Sequence, residues 1–205
     1  MKKIILASNN AHKIQEIREI LKELPVEIKS LKDENIDVDV EEDGTTFEEN
    51  ARKKAYEIAN FLKNRGEEEF IVMADDSGLE VDYLNKMPGI YSARYAGEHD
   101  GNDKKNNEKL LKELKGVPKE KRGAQFVCQI VLVDQNEKYL SIKGEVRGRI
   151  LEELSGKEGF GYDPLFFYEP LNKTFGELSS EEKNSVSHRA CALRELKKKI
   201  KEFLN

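Results

Sequence analysis

The stretch from residue 4 to residue 24 constrains the fold most, because an apolar run, a polar turn and a helical pattern follow one another directly. Ile4–Ala7 is a short apolar run, typical of a buried strand. Beyond the polar residues 8–10, apolar side chains recur at helical spacing, and the pattern stops before Pro25. Strand, turn and helix in this order predict an α/β beginning and place residues 8–13 at a helix N-terminus.

Later patterns extend the α/β prediction. Thr46 with Glu49 three residues on is a capping box, and it predicts a helix from Thr46 to about residue 62. Phe70–Ala74 predicts a second buried strand, which delivers the acidic residues that follow at its C-terminal end. Further predictions are an ordered loop over 87–97, a helix over 102–115, strands over 124–133 and 139–146 joined as an antiparallel hairpin, an apolar segment over 165–168 and a final helix over 187–204. With no repeat or linker, we predict one domain over residues 1–205 with a mixed sheet.

Composition narrows the function classes. The 35 Lys and Arg residues against 40 Asp and Glu residues give a net charge of −5, so the overall field does not steer the chain onto nucleic acid. The apolar run near the N-terminus stops at Asn9, too early for a signal peptide or a membrane span. Cys128 and Cys191 lie outside any metal-binding spacing and are expected to be small reduced core residues. We therefore predict a cytoplasmic protein with no membrane or nucleic-acid partner.

The segment Ser8–Lys13 is the first candidate for chemistry. A helix N-terminus offers unpaired N–H groups and a positive dipole end, and both suit a phosphate group. Ser8 and Asn10 can add donors, and Lys13 adds a positive charge. The segment matches neither the P-loop nor the dinucleotide-binding pattern. An ordinary helix start capped by Asn10 remains an equal alternative.

The second candidate is Asp75-Asp76-Ser77-Gly78, directly after the predicted strand. In open α/β sheets ligands bind beyond the carboxyl ends of strands. One of two adjacent carboxylates can bind a cation or orient a water molecule, while the other makes a structural hydrogen bond. Gly78 would permit a sharp turn. The alternative is a simple β-turn, because Asp, Ser and Gly are common turn residues.

An acidic stretch, Asp37–Asp43, is the third candidate. It fits no register of the EF-hand calcium loop, and the capping box indicates that a helix begins just after it. Because Mg²⁺ prefers one or two carboxylates with waters and phosphate oxygens, one or two of these acids are candidate ligands. The others are expected to form a solvated edge.

The fourth candidate combines Gly159–Pro164 with Lys183 and Ser187–Arg189. Two glycines around Phe160 and Tyr162 permit a backbone that presents ring faces for stacking a base. Asp163 can accept from a ring N–H, and the cationic residues can donate to exocyclic oxygens or phosphates. Such a set would select a 6-oxopurine over adenine, which shows the opposite donor and acceptor pattern. The alternatives are core packing for the rings and a helix start for Ser187–Arg189. His12 and His99 fit no catalytic histidine motif.

Together these segments carry a family resemblance. In order along the chain stand Ser8–Lys13, Phe47–Ala51, Ala74–Leu79, Pro88–Tyr95, Gly159–Pro164, Glu182-Lys183 and Ser187–Arg189. The ordered set resembles the inosine/xanthosine triphosphate pyrophosphatases of the Ham1 type, and the likeness runs from residue 4 to the final helix.

The resemblance implies an ITPase-like α/β fold, with a curved mixed sheet flanked by helices and two lobes around a central substrate cleft. It implies a cytoplasmic homodimer that uses Mg²⁺ to hydrolyse dITP, ITP and XTP to monophosphate and pyrophosphate, removing them from the nucleotide pool. Asp76 would accept the proton of the attacking water and touch the metal, with Glu41 as the other metal ligand and Glu42 the alternative.

The remaining site residues implied by the resemblance bind substrate. At the phosphate and sugar end they are Ser8, Asn9, Asn10, Ala11, His12, Lys13 and Ser77. Around the base they are Phe160, Gly161, Tyr162, Asp163, Lys183, His188 and Arg189. Asn9 departs from a glycine that is frequent in the family, and residues 64–69 look like a short surface insertion.

Two other functions stay open on sequence. One is a pyrophosphatase for pyrimidine or modified nucleotides, as in the Maf proteins, although Phe160–Asp163 and Ser187–Arg189 argue against it. The other is a nucleotide-binding module without catalysis, which would leave the carboxylates of Asp75, Asp76 and Glu41 without a purpose.

Overall fold

A computed structural model describes residues 2–97 and 102–204; His99 lies outside these ranges. The described residues form strands and helices that alternate near the N-terminus. The strands are β1 (Lys2–Leu6), β2 (Val26–Ser30), β3 (Ile71–Val81), β4 (Gly123–Asp134), β5 (Tyr139–Ile150), β6 (Phe166–Tyr168) and β7 (Lys173–Thr174). The helices are α1 (Ala11–Leu21), α2 (Phe47–Asn64), α3 (Asp103–Glu113), α4 (Ser180–Val186) and α5 (His188–Leu204).

The strands form one mixed sheet in the order β2-β1-β3-β4-β5-β6-β7. β1 runs parallel to both β2 and β3, whereas β6 is antiparallel to β5 and β7. The predicted hairpin is present, because Asp134 N donates to Lys138 O at one end and Ile150 N donates to Arg122 O at the other. The predicted α/β class with a mixed sheet is confirmed.

The chain divides into two compact units, and β3, β4 and β5 each contribute residues to both. The first unit comprises residues 1–76, 128–144 and 191–205. The second comprises residues 77–127 and 145–190. Along β3 the division falls between Asp76 and Ser77.

In the first unit, strand alternation separates two apolar layers. Ile4 and Leu6 of β1 pack in the cluster that contains the apolar residues of α1 and α5. Ile5 and the adjoining Ala7 pack instead in the cluster of α2, which includes Ala51. Because successive side chains of a strand point to opposite faces, helices cover both faces of this part of the sheet. Near-continuous burial of the β1 apolar run follows from that arrangement.

The second unit has one core, rich in aromatic rings. Phe126 of β4 lies 4.5 Å from Phe166 and 5.8 Å from Phe175, measured between ring centroids. Leu79 and Val81 of β3 belong to the same cluster. This core fixes the second half of β3 and the segments around residue 162 to one another.

The ends of β3 and α1 differ from the sequence-based predictions, and three elements were not predicted. β3 does not end before Asp75; it continues to Val81, so Asp75–Gly78 is neither a turn nor a strand end. Helix α1 ends at Leu21, because β2 begins immediately after Pro25 and the chain must reverse first. β2, β7 and α4 were not predicted, and α4 is a separate helix whose N-cap Ser179 forms a capping box with Glu182.

Among the described residues, no helix combines the length and apolarity that a bilayer crossing requires.

Candidate functional site

The loop after β1 forms a capped helix start. Ser8 Oγ accepts from Asn10 N at 3.2 Å, and Asn10 Oδ1 accepts from Lys13 N at 3.1 Å. Asn10 is therefore the N-cap of α1, as the structural alternative held. Asn9, Ala11 and His12 are exposed, while Ser8 and Lys13 are half-buried. An exposed loop at the positive end of an eleven-residue helix is compatible with both the cap and the phosphate role.

Asp75 faces the loop's cation. Lys13 Nζ lies 2.6 Å from Asp75 Oδ1, and the aspartate side chain is fully buried. Cys128 of β4 donates its thiol to Asp75 Oδ2 at 3.0 Å. A buried carboxylate with a cation on one oxygen and a thiol on the other serves to hold Lys13 in place. The cysteine is thus a buried core thiol, as composition suggested.

Asp76 is held by α2. Asn50 Nδ2 donates to Asp76 Oδ2 at 3.1 Å, and Lys54 Nζ lies 3.8 Å from Asp76 Oδ1. The same ammonium donates to Asp75 O at 2.7 Å and to Glu42 Oε1 at 3.0 Å. One lysine therefore links the acidic stretch to β3, and the carboxylate beside it is 5% exposed. A buried carboxylate that Asn50 holds in one orientation is a suitable group to accept a proton from water.

The sequence did not single out the roles of Asn50 and Lys54. They stand four residues apart on α2, so they project from one side of the helix. Asn50 is fully buried next to Ala51 on the apolar face. A polar residue on the buried stripe of an otherwise amphipathic helix was the available signal.

The acidic stretch contributes Glu42 rather than Glu41 to these contacts. Glu42 is half-buried and bound to Lys54, whereas the Glu41 side chain is exposed. Asp43, one residue further, is exposed and pairs with Lys53 at 2.7 Å. The contacts favour the alternative ligand, Glu42, and the assignment of Glu41 stays a prediction.

In the second unit, the carboxylate of Asp163 organises the loop from Gly159 to Pro164. Asp163 Oδ2 accepts from Phe160 N at 2.9 Å and from Lys183 Nζ at 2.6 Å. Both side chains of the ion pair are buried. The Lys183 ammonium also lies 4.5 Å from the centroid of the Phe160 ring, within cation–π range. Phe160 itself is half-buried, so its ring remains the candidate stacking surface.

Tyr162 does not present a ring face, contrary to the prediction. Its side chain belongs to the second unit's core and is 4% exposed. The hydroxyl donates to Ser92 O at 2.7 Å, and burial raises the pKa of that hydroxyl. The core-packing alternative therefore describes Tyr162, which supports the loop from beneath.

Ser187–Arg189 forms the start of α5, as the structural alternative held. The His188 ring stacks on Phe126, with centroids 4.7 Å apart and planes inclined by 14°. Arg189 is fully buried and donates to Ser77 Oγ at 3.0 Å. Since Ser77 follows Asp76 in β3, this bond fixes the strand residue next to the candidate base. The stacking and the hydrogen bond hold the His188 and Arg189 side chains in these positions.

The chain is similar to known proteins over nearly its whole length. The model of the family described as Ham1 family matches residues 4–199. The chain belongs to the Ham1 family.

The similarity to relatives of this family extends over nearly the whole chain. A protein of Clostridium perfringens (strain 13 / Type A) named dITP/XTP pyrophosphatase is 62% identical over 204 residues, covering 100% of both chains. The structure of the Staphylococcus aureus Ham1 protein has a TM-score of 0.85 at 42% identity, covering 98% of this chain and 99% of the other. A HAM1 protein from Coxiella burnetii has a TM-score of 0.85 at 38% identity and covers 98% and 100%. The family and the fold expected from the motifs are confirmed.

A magnesium ion is compatible with the donor set of the first unit. No group of three potential metal ligands occurs among the described residues. Mg²⁺, however, is usually bound by one or two carboxylates together with waters and substrate phosphates. Glu42 and Asp76 both approach the one ammonium of Lys54, so two carboxylates are already directed toward a common positive charge. That donor set fits Mg²⁺.

The raised pKa of Asp76 makes the free energy of unfolding depend on pH. Burial raises its pKa to about 6 in the metal-free protein; Lys54, Lys13 and the Asn50 hydrogen bond oppose this rise, and Glu42 adds to it. In an unfolded chain an aspartate titrates near about 3.9. The ionised carboxylate therefore costs folding free energy above about pH 6, and the cost disappears below about pH 4.

We expect Asp76→Asn to stabilise the metal-free protein. Because the shift of about two pKa units corresponds to roughly 3 kcal/mol, the free energy of unfolding at pH 7.5 should rise by up to that amount. The gain should vanish at pH 4, where the wild-type carboxyl is protonated in both states. Urea denaturation of both proteins in EDTA at the two pH values measures this difference. An equal gain at both values would show that the Asp76 charge is not its source.

Proposed function

We propose that this Ham1 protein hydrolyses non-standard purine nucleoside triphosphates, dITP, ITP and XTP, to the monophosphate and pyrophosphate. The observation that carries the proposal is the buried carboxylate of Asp76, oriented by Asn50 and tuned by Lys54. A carboxylate with a pKa of about 6 is ionised at neutral pH and still basic enough to take a proton from water. The relatives named dITP/XTP pyrophosphatase support the same reaction.

In this mechanism Asp76 accepts the proton of the water that attacks the α-phosphorus. Asn50 fixes the carboxylate through Oδ2, which leaves Oδ1 on the side of Lys54. Lys13, held by Asp75, supplies positive charge to the phosphates together with the N-terminal amides of α1. When bound by Asp76 and Glu42, Mg²⁺ would supply positive charge that neutralises the triphosphate. No covalent intermediate is required.

Residues of the second unit recognise the base of the substrate. Phe160 offers the stacking surface, and His188 and Arg189 offer donors for a 6-oxo group. Asp163 is the acceptor in the sequence-based proposal, and its carboxylate also accepts from Phe160 N and pairs with Lys183. A base with an acceptor at position 6 and a donor at N1 matches this set, and adenine does not.

The test is a panel of triphosphates with pyrophosphate detection. We expect dITP, ITP and XTP to be cleaved with kcat/KM values at least about tenfold above those of dATP and dTTP, because one mismatched polar contact costs about that factor or more. Preference for dTTP or UTP would favour the pyrimidine alternative. Tight binding of ITP without pyrophosphate release would favour a binding module.

The dependence of activity on Mg²⁺ distinguishes Glu42 from Glu41 as the metal ligand. We expect Glu42→Gln to lower kcat/KM by about tenfold or more and to raise the Mg²⁺ concentration needed for half-maximal activity, because it removes a carboxylate bound to Lys54. Glu41→Gln is the matched control and should stay within about twofold of wild type. Titration of activity with Mg²⁺ measures both, and the reverse order would return the ligand role to Glu41.

The family resemblance also supports a cytoplasmic homodimer that uses neither nucleic acid nor a membrane. Light scattering coupled to size-exclusion chromatography should give twice the mass of the 23.5 kDa chain. A monomer mass across the working concentration range would contradict the dimer without affecting the proposed reaction.

A further inference from the structure

We propose that Asp103 and Asn107 of α3 are positioning residues that hold the base-recognition loop, Phe160–Asp163, and thereby set the preference for 6-oxopurines. The inference rests on the proposed function of that loop. Neither residue belongs to the motifs that carry the family resemblance.

The Asp103 and Asn107 side chains both form hydrogen bonds to the backbone of Gly161. Asp103 Oδ2 accepts from Gly161 N at 2.7 Å, and Asn107 Nδ2 donates to Gly161 O at 2.9 Å. Asp103 and Asn107 stand four residues apart, so they project from one face of α3. The backbone N–H and C=O of Gly161 are therefore both bound by side chains of the same helix.

These two hydrogen bonds stabilise the part of the loop next to the candidate stacking residue, Phe160, where Gly161 has a positive φ. Gly161 has φ of +60°, and its neighbours along the loop are Phe160, the candidate stacking residue, and buried Tyr162. The consecutive amides of Phe160 and Gly161 both donate to carboxylates, those of Asp163 and Asp103. Two carboxylates on adjacent amides fix the orientation of the peptide between them, and with it the direction of the Phe160 ring.

Burial makes these bonds difficult to replace by water. Asn107 is 5% exposed and Asp103 is half-buried. The neighbouring Asn106 points to a different segment, donating to Ala93 O at 3.1 Å and accepting from Ala96 N at 2.8 Å. Helix α3 therefore anchors two segments with separate side chains, and Asp103 and Asn107 contact the base-recognition loop through Gly161.

The substitutions are chosen to separate positioning from helix stability. Asp103→Ala removes the acceptor, whereas Asp103→Asn keeps an acceptor oxygen and loses only the charge. Asn107→Asp keeps the shape and removes the donor. Asn102→Ala is the control for the helix: Asn102 caps α3 by accepting from Lys105 N at 3.1 Å, and no described contact links its side chain to the loop.

We expect Asp103→Ala and Asn107→Asp each to raise KM for dITP by about tenfold with kcat changed less than about threefold, because one hydrogen bond of this kind is lost. The ratio of kcat/KM for dITP to that for dATP should fall by about tenfold. Asp103→Asn and Asn102→Ala should stay within about twofold of wild type. Equal losses in Asp103→Asn, or in Asn102→Ala, would overturn the proposal, as would unchanged values in Asp103→Ala and Asn107→Asp.

A second readout needs no nucleotide and so does not depend on the proposed reaction. The chain contains no tryptophan, so Phe160→Trp introduces a single indole into the loop. Acrylamide quenching of this fluorescence should increase when Asp103→Ala or Asn107→Asp is added, and not when Asn102→Ala is added. Unchanged quenching would overturn the positioning role, whereas absent hydrolysis of dITP by wild-type protein would instead overturn the proposed function.

Discussion

Asp76→Asn is expected to lower kcat for dITP by at least about 10²–10⁴-fold, the usual contribution of a positioned general base. The loss should be larger if Asp76 also binds the metal, because one substitution then removes both contributions. The fold should persist: an asparagine oxygen can still accept from Asn50 Nδ2, which now donates to the carboxylate at 3.1 Å. The stability gain expected at neutral pH also supports a persistent fold. A variant that is inactive but unfolds less readily than wild type is not inactive because of misfolding.

The matched control for this loss is Asp43→Asn. Asp43 is an exposed acid in the same charged stretch as Glu42, and it pairs with Lys53 rather than with Lys54. Surface pairs of this kind contribute little to stability. Steady-state kinetics should therefore give a wild-type kcat for Asp43→Asn. More than about a tenth of wild-type activity in Asp76→Asn would be too much for loss of the general base.

Gly159→Ala is expected to disable the base-recognition loop. Gly159 has φ of +74°, and a Cβ there would overlap the Asp163 carboxylate. That carboxylate cannot move aside easily, because it accepts from Phe160 N and pairs with buried Lys183. Separating a buried ion pair costs about 3–5 kcal/mol, so the midpoint of thermal unfolding should fall by roughly 6–20 °C. For dITP, kcat/KM should fall by about 100-fold or more, because the loop that carries Phe160 is displaced.

Gly161→Ala provides the control within the same loop. Gly161 also has a positive φ, +60°, but a Cβ at this position meets no atom within 4 Å. It therefore incurs the backbone cost of about 1–2 kcal/mol without the steric overlap. Calorimetry and kinetics of the two variants separate backbone strain from loss of the Asp163 contacts. Equal effects in both would mean that the carboxylate contacts do not matter.

Much of the first unit was predictable because its local signals agree with its tertiary contacts. The apolar run of β1, the cap at Asn10 and the Thr46 cap of α2 all appear where the sequence places them. β3 was harder. Asp75–Gly78 consists of turn-forming residues, yet pairing in the centre of the sheet keeps them extended. Tertiary pairing overrode the local turn propensity, as it commonly does for strands.

The candidate site was predictable where a residue follows a recognisable element, and not where its role depends on a distant partner. The acidic pair Asp75-Asp76 was proposed from its place after an apolar strand, and the family resemblance then implied Asp76 as the base. The binding of Lys54 to Glu42 depends on how α2 packs, and no spacing in the sequence reveals it. Tyr162 resembles a stacking residue in sequence, but its hydroxyl reaches Ser92 seventy residues away and places the ring in the core.

Hydrolysis of dITP in ¹⁸O-labelled water, with both products analysed by mass spectrometry, tests the central proposal most directly. If water activated by Asp76 attacks the α-phosphorus, wild-type protein releases labelled dIMP and unlabelled pyrophosphate, and Asp76→Asn releases neither at a comparable rate. Label in the pyrophosphate, or release of inorganic phosphate with dIDP, would contradict it.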